Sequence, residues 1–210
     1  MATKRLLAFG AAAAGVFVAT AALAQDVPPD VLVKTVTLEV IDIIGKDKDI
    51  QSGNQRKVVE LVEAKVLPHF NFTAMTRLAV ATNWEKSTAE QKKQLTEEFK
   101  TLLVRTYSSA LSTYRDQKFD FRPLRAKATD TDVTVQVRIA QSGREAVTLE
   151  YDMEKSPAGW KAYDVRVAGV SLVANYRTAF ANEVRTNGID GLIRGLAEKN
   201  KGPTVKAEKK

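Results

Sequence analysis

Apolar side chains in the first part of the chain recur every three or four residues, which is the spacing of helices with one buried face. This spacing predicts helices over residues 29–45 and 54–67, followed by a short helix from Phe72 to Leu78. Pro68 ends the second of these, because proline lacks the amide hydrogen that a helix interior needs. The first third of the chain is therefore predicted to be helical.

A long helix is predicted to begin at the tetrapeptide Ser87-Thr88-Ala89-Glu90. A serine followed three residues later by glutamate has the spacing of a capping box, in which each side chain binds an exposed amide at the helix start. Charged residues lie mostly on one side of this helix. Its broad apolar face consists of Leu95, Phe99, Leu102, Leu103, Thr106, Tyr107, Ala110, Leu111 and Tyr114.

After Pro123 the apolar period changes from about 3.6 residues to 2, the period of a strand. Alternation over residues 133–139 and 147–153, separated by a turn at 141–143, predicts an antiparallel hairpin. Each strand has one apolar and one polar face, as in a sheet covered on one side. A third strand is predicted to turn Tyr163, Val165 and Val167 toward the same side.

The last part of the chain returns to helical spacing. Gly169 interrupts the third strand, and Ser171 is predicted to cap a helix that reaches Phe180. A last short helix is predicted from Ile189 to Leu196, and the Lys-rich segment 199–210 is predicted to be a disordered tail.

Helices, then consecutive antiparallel strands, then helices again predict an α+β fold in which helices cover one face of a twisted antiparallel sheet. We interpret residues 25–198 as one domain. Its helical N-terminal part covers 29–115, and its sheet and C-terminal helices cover 119–198.

The N-terminus has the pattern of a secretory signal peptide. Lys4 and Arg5 precede an Ala-rich apolar run that ends at Ala22-Leu23-Ala24. We expect cleavage after residue 24, which removes 1–24 and delivers the remainder to the periplasm. The alternative is a retained membrane anchor, but the run is only weakly hydrophobic.

Composition excludes several classes of protein. The chain has no cysteine, so it forms no disulfide and carries no thiol for a lipid anchor. Its net charge is +7, which falls to about +5 without Lys4 and Arg5 and favours acidic partners only mildly. No dense basic block with interleaved aromatic residues is present, so nucleic acid is not an expected partner.

Catalytic side chains are few. His69 is the sole histidine, so neither a catalytic triad nor a zinc site of several His or Cys ligands is expected. Asp152 and Asp164 are the candidates for an alternative hypothesis, in which a buried carboxylate and a tyrosine move a proton. Alternation turns both carboxylates away from the apolar face, which favours a solvated or structural role.

Several local motifs occur in an order that resembles one family, the MlaC family of periplasmic phospholipid-shuttle proteins, also described as toluene-tolerance or auxiliary ABC-transport components. Together they extend over nearly the whole predicted mature chain. The motifs are Pro68-x-Phe70-Asn71-Phe72, Trp84, Gln91, Phe99, Tyr107, Tyr151, Gly159-Trp160-Lys161-x-Tyr163-Asp164-Val165, Gly169-Val170-Ser171-Leu172, Tyr176 and Gly188-Ile189-Asp190-Gly191-Leu192.

The resemblance implies a carrier without a catalytic reaction or a cofactor. Its sheet would be cone-shaped and NTF2-like, and would enclose with the helices an apolar cavity for the acyl tails of a phospholipid. The implied partners are phospholipid, an inner-membrane ABC transporter complex and an outer-membrane lipoprotein–porin complex. The implied role is to keep the outer membrane asymmetric in its lipids.

The apolar positions of the sheet and helices are the candidates for the cavity wall. Each of them fits plain core packing equally well, because periodicity shows which face is apolar and not whether that face is filled. Besides the carrier and the enzyme, a third hypothesis is therefore that the protein has a fully packed core and is a structural adaptor of an ABC transporter. The candidate lipid-binding residues are Phe99, Leu103, Tyr107, Val135, Val137, Ile139, Val147, Leu149, Tyr151, Tyr163, Val165, Val173 and Tyr176.

Four basic side chains could approach a lipid phosphate or an acidic docking surface, although solvated positions are commoner for such residues. They are Lys161, Arg166, Arg177 and Arg185.

Overall fold

The computed structural model describes residues 27–202, except residues 113, 115 and 128. The predicted signal peptide at 1–24 and the segment 203–210 of the predicted tail lie outside the described residues. The part of that tail that is described does not fit the prediction, because residues 199–201 still belong to the last helix. Within the described ranges, no helix is both long and apolar enough to cross a membrane.

The first part of the chain is helical, as predicted. A short 3-10 turn at Leu67–His69 separates the third helix from the fourth. The helices are α1 (Pro29–Lys46), α2 (Lys48–Gln51), α3 (Gln55–Lys65), α4 (Phe72–Val80), α5 (Asn83–Lys86), α6 (Ala89–Tyr107) and α7 (Ser109–Ser112).

The capping box of α6 lies one residue later than predicted. The backbone amide of Gln91 donates to the Thr88 hydroxyl, and the Gln91 side chain accepts from the Thr88 amide. Ser87 has another role, since its hydroxyl donates to the carbonyl of Asn83 and closes α5. Both Ser and Thr are suitable N-cap residues. Because Ser87 ends the short helix α5, which the pattern did not predict, Thr88 becomes the N-cap of α6.

The sheet has five antiparallel strands in chain order, where the pattern predicted three. The two additional strands are the edge strands, of four and two residues, which are too short to show alternation. The strands are β1 (Lys118–Phe121), β2 (Asp132–Ala140), β3 (Val147–Ser156), β4 (Gly159–Val167) and β5 (Val170–Ser171).

A bulge in β4 changes the faces of its side chains. The register with β3 shifts between Asp152 and Met153, so that Asp152 pairs with Asp164 while Met153 pairs with Ala162. Tyr163 is the extra residue, and alternation is broken there. Trp160 and Ala162 consequently share the apolar face with Val165, although they lie on opposite sides of the bulge.

The last helix, α8 (Ala174–Lys201), joins the two helices that the sequence predicts. The boundary between them is visible as a kink, because Gly188 has a φ of 70° and a ψ of −179° inside the helix. An L-residue is strained in this conformation, whereas glycine adopts it readily.

The buried apolar side chains form three clusters. The helical cluster joins α4, α6 and α8 around Phe99. The sheet cluster joins β2, β3 and β4 to Val33 of α1. The N-terminal cluster joins α1, α2 and α3 around Val58. Phe70 packs against both the helical and the sheet clusters, and a domain of this size more usually has one continuous core.

Candidate functional site

One face of the sheet, here called the inner face, carries most of the predicted wall residues. Pairing places Val135 opposite Tyr151, Val137 opposite Leu149, and Tyr151 opposite Val165. Ile139 pairs with Val147 on the same face. The structure therefore brings seven of the thirteen candidates together, namely Val135, Val137, Ile139, Val147, Leu149, Tyr151 and Val165.

Exposure along the inner face rises toward one end. Val137 is only 1% exposed, whereas Val147 is 38% exposed and Val170 is 51% exposed. Ile139 and Val167, which lie at the same end of the sheet, are half-buried. These four residues, Ile139, Val147, Val167 and Val170, are called the rim below, and they make an apolar edge that is open to solvent.

Several inner-face side chains belong to none of the three clusters. Val165 is 8% exposed, yet it packs into neither the helical nor the sheet cluster. Leu149 lies at the centre of the sheet and is only half-buried. An apolar side chain at such a position is usually covered by neighbours from the opposite layer. The chain's own atoms therefore cover Val165 but leave Leu149 and the rim partly exposed.

The helices are attached to the sheet mainly at the end away from the rim. Phe70 forms a backbone bridge with Ala162, and the amide of Asn71 donates to the carbonyl of Ala162 over 2.8 Å. Helix α1 packs on β2, and α4 packs on β4. In the described part of the chain, α6 packs closely on α3, α4 and α8 and makes no comparable backbone approach to a strand.

The five candidates from the helical side lie in the helical cluster. Phe99 is fully buried, and its ring meets those of Tyr176 and Phe180 edge-on at centroid distances of 5.1 and 5.3 Å. Leu103 of α6 and Val173, the residue before α8, are also buried in this cluster. The structure thus separates these five, Phe99, Leu103, Tyr107, Val173 and Tyr176, from the inner-face group.

Tyr107 and Tyr176 are the two half-buried members of that helical group. They share a hydrogen bond, and burial together with this neighbouring phenol raises the pKa of Tyr107 far above its usual value. The Tyr107 phenol therefore stays neutral under ordinary conditions. In this bond one phenol is the donor and the other is the acceptor.

Tyr163 does not line the inner face, contrary to the prediction from alternation. Its hydroxyl donates to Asp132 over 3.1 Å, and Asp132 pairs with Glu154 on the polar face of the sheet. The bulge at this residue is the cause. Burial and the hydrogen bond to Asp132 raise the pKa of Tyr163 to about 12.

Both carboxylates of the alternative catalytic hypothesis are engaged in structural contacts. Asp164 is buried, and it accepts hydrogen bonds from the amides of Val165 and Val173 and from the Ser171 hydroxyl. It pairs with Asp152 and so faces away from Val165, as alternation predicts, and its contacts with Ser171 and Val173 give it the structural rather than the solvated role. Asp152 lies on the polar face and accepts from Thr134 and Arg166.

Three of the four candidate basic residues have protein partners. Arg166 pairs with Glu150 and Asp152 on the polar face. Lys161 donates to the carbonyl of Pro68, and Arg177 donates to that of Leu78. Within the described ranges, no group of three or more His, Cys, Asp or Glu side chains could hold a metal ion.

Two surface pockets, of about 460 and 510 Å³, lie away from the inner face. The first is formed by charged residues around Asp47 and Lys57, and the second follows α8 from Glu183 to Lys201. None of the thirteen candidate residues lines either pocket. The candidate site is the partly exposed end of the inner face, around Leu149 and the rim.

Two proteins of known name are similar to most of this chain. The "intermembrane phospholipid transport system binding protein MlaC" of Haemophilus influenzae is 25% identical over 167 residues, covering 75% of this chain and 78% of that protein. "Toluene tolerance protein ttg2D" of Pseudomonas putida is 25% identical over 179 residues, covering 83% and 82%.

A solved structure is similar over most of the chain. It is a phospholipid-binding protein from Ralstonia solanacearum in complex with a phospholipid, with a TM-score of 0.76 and 39% sequence identity. The similarity covers 82% of this chain and 96% of that one. The family model described as "MlaC protein" matches residues 34–198. The chain therefore belongs to the MlaC family, as its sequence motifs predict.

Proposed function

We propose that this protein is a periplasmic carrier that holds the acyl chains of a phospholipid between the inner face of its sheet and its helices. The observation that carries the proposal is the part of the inner face around Leu149 and the rim, which is apolar and partly exposed, whereas the helices pack on one another around Phe99. The Ralstonia relative, which is bound to a phospholipid, supports the same class of ligand.

Such a ligand needs little directional chemistry. Each methylene that leaves water contributes about 0.8 kcal/mol, so two acyl chains supply a large favourable free energy. The ester and headgroup oxygens, by contrast, are costly to bury without partners. We therefore expect the tails to enter past Val147 and Val170, with the headgroup left in solvent at the rim.

The proposal includes transport between membranes. A carrier in the periplasm would exchange lipid with an inner-membrane ABC transporter complex and an outer-membrane lipoprotein–porin complex, and would thereby maintain the lipid asymmetry of the outer membrane. The Haemophilus relative, an intermembrane phospholipid transport system binding protein, supports a transport role. The carrier needs neither a catalytic residue nor a cofactor for this task.

The experiment is native mass spectrometry of the mature protein isolated from the bacterial periplasm without detergent. The proposal predicts an added mass of one or more phospholipids, identified by extraction and tandem mass spectrometry. A homogeneous protein mass without lipid, together with failure to take up phosphatidylglycerol from vesicles, would contradict it. That result would favour the adaptor hypothesis.

A further inference from the structure

Tyr151 has a hydroxyl without a protein partner at the centre of the inner face. Its neighbours across the sheet are Val135 and Val165, and its side chain is half-buried. No hydrogen bond joins its hydroxyl to any described residue, whereas Tyr163 binds Asp132 and Tyr107 binds Tyr176. A phenylalanine would pack here equally well, and the hydroxyl is not among the enclosed polar atoms that lack a partner, so water is its partner until a guest covers it.

The residues paired with Tyr151 on both neighbouring strands are valines. Burial alone raises the pKa of Tyr151 to about 12, with no contribution from a charged neighbour. The phenol is therefore neutral and a hydrogen-bond donor throughout the physiological range. A donor that loses water without finding an acceptor is destabilised, so any guest that covers Tyr151 is penalised unless it offers an acceptor.

The distance from the rim identifies the part of a lipid that Tyr151 would meet. Tyr151 follows Val147 by four residues on β3, which is about 13 Å along an extended strand. One leaflet of a bilayer has a hydrocarbon thickness of about 15 Å, half of the full core. A lipid with its ester groups at the rim would thus place the hydrocarbon of its tails, and not its esters, against this hydroxyl.

We propose that the Tyr151 hydroxyl donates a weak hydrogen bond to the π electrons of a cis double bond, so that the site prefers unsaturated acyl chains. This inference rests on the proposed function and deepens it. A saturated tail would displace water from the hydroxyl without supplying a hydrogen-bond acceptor. A double bond supplies such an acceptor within the hydrocarbon. The preference arises as much from the penalty on the saturated chain as from attraction to the unsaturated one.

The test loads the protein from vesicles of dimyristoyl- and dimyristoleoyl-phosphatidylglycerol in equal amounts, at a temperature where both are fluid. Their chains have equal length and differ in the double bond. Bound lipid is then counted by native mass spectrometry. We expect the wild-type protein to favour the unsaturated lipid about two- to fivefold, the range of a weak hydrogen bond. Tyr151→Phe should bring the ratio close to one without lowering the total lipid bound.

Tyr163→Phe is the matched control, because it removes a phenol hydroxyl from the polar face of the same sheet. It should retain the wild-type ratio. Equal ratios for the wild-type protein and Tyr151→Phe, at equal lipid content, would overturn this inference and leave the carrier proposal intact. Absence of bound lipid from all three proteins would instead contradict the carrier proposal itself.

Discussion

The Ser171 hydroxyl donates a hydrogen bond to the buried carboxylate of Asp164, and so ties β5 to the bulge in β4. The other oxygen of Asp164 accepts from the amides of Val165 and Val173. One carboxylate thus holds the sheet edge and the residue that precedes α8. The contact positions the C-terminal helix relative to the rim.

Removal of this carboxylate is expected to destabilise the fold. Asp164→Ala leaves the two amides without an acceptor, and we expect the free energy of unfolding to fall by about 3 kcal/mol in urea denaturation. Asp164→Asn retains an oxygen for both amides and should lose about 1 kcal/mol or less.

Asp120→Ala provides the control for this comparison. Asp120 forms an exposed ion pair with Arg122, so its loss should change the free energy of unfolding by less than about 0.5 kcal/mol. Equal effects of Asp164→Ala and Asp120→Ala would show that the buried hydrogen bonds do not have the role assigned to them.

The kink in α8 predicts opposite effects of two glycine substitutions. Gly188→Ala places a Cβ on a residue with φ of 70°, and we expect a loss of about 1–3 kcal/mol of stability. Gly195→Ala lies in regular helix, where an added Cβ meets nothing within 4 Å, and it should gain up to about 1 kcal/mol. Thermal and urea unfolding measure both. Stabilisation by Gly188→Ala would exclude a structural need for the kink.

His69 gives a pH dependence that can be isolated, since the chain has one histidine. Burial and the nearby Lys161 lower the pKa of His69 below its usual value near 6.5, while Glu39 opposes them. The folded state therefore favours neutral imidazole. Stability from this group is fully present above about pH 6.5 and is lost as the pH falls through the lower folded pKa.

NMR titration of the single imidazole measures this pKa directly. Lys161→Gln should raise the pKa of His69, and Glu39→Gln should lower it further. In urea unfolding, His69→Gln should lose less stability than the wild-type protein between pH 7 and 5. Shifts of the same sign in both charge variants would contradict the assigned contacts.

A charge on the inner face is expected to abolish lipid binding. Leu149 lies between Val137 and Val167, and Leu149→Asp would place a carboxylate against the acyl chains. Because an unpaired charge in hydrocarbon costs several kcal/mol, the lipid content should fall roughly tenfold or more. Phosphate analysis of the purified protein measures it, with circular dichroism as the check on folding.

The neighbouring residue provides the control on the same strand. Thr148 pairs with Arg138 on the opposite face, so Thr148→Asp adds the same charge outside the proposed site. It should keep the wild-type lipid content. If Leu149→Asp retained as much phospholipid as the wild-type protein, the acyl chains would not lie on the inner face.

Most of the fold follows from short-range periodicity. The spacing of 3.6 predicts α1, α3, α4 and α6, and the spacing of 2 predicts the central strands. The same rule fails at Tyr163, where one extra residue reverses the faces that alternation assigns. It also misses β5, whose two residues show no period. Bulges and edge strands depend on contacts between distant residues, which periodicity does not contain.

The site was only partly predictable for the same reason. The pattern identifies Val137 and Leu149 as apolar positions on one face, and the structure agrees. It also selects Phe99, which the structure buries between helices. Apolar periodicity identifies inner-face positions and helix-packing positions alike. Which of the two a residue occupies depends on how the helices pack relative to the sheet. The unpartnered hydroxyl of Tyr151 likewise becomes visible only when its neighbours are known.

The central claim is that hydrocarbon from a guest lies against the inner face. Photo-crosslinking with a phosphatidylglycerol that carries a diazirine near the end of one acyl chain tests it most directly, with adducts mapped by peptide mass spectrometry. We predict adducts at inner-face residues such as Val137, Leu149 and Tyr151. Adducts confined to polar-face residues such as Thr134 and Gln136, or to the outer surface of α8, would contradict it.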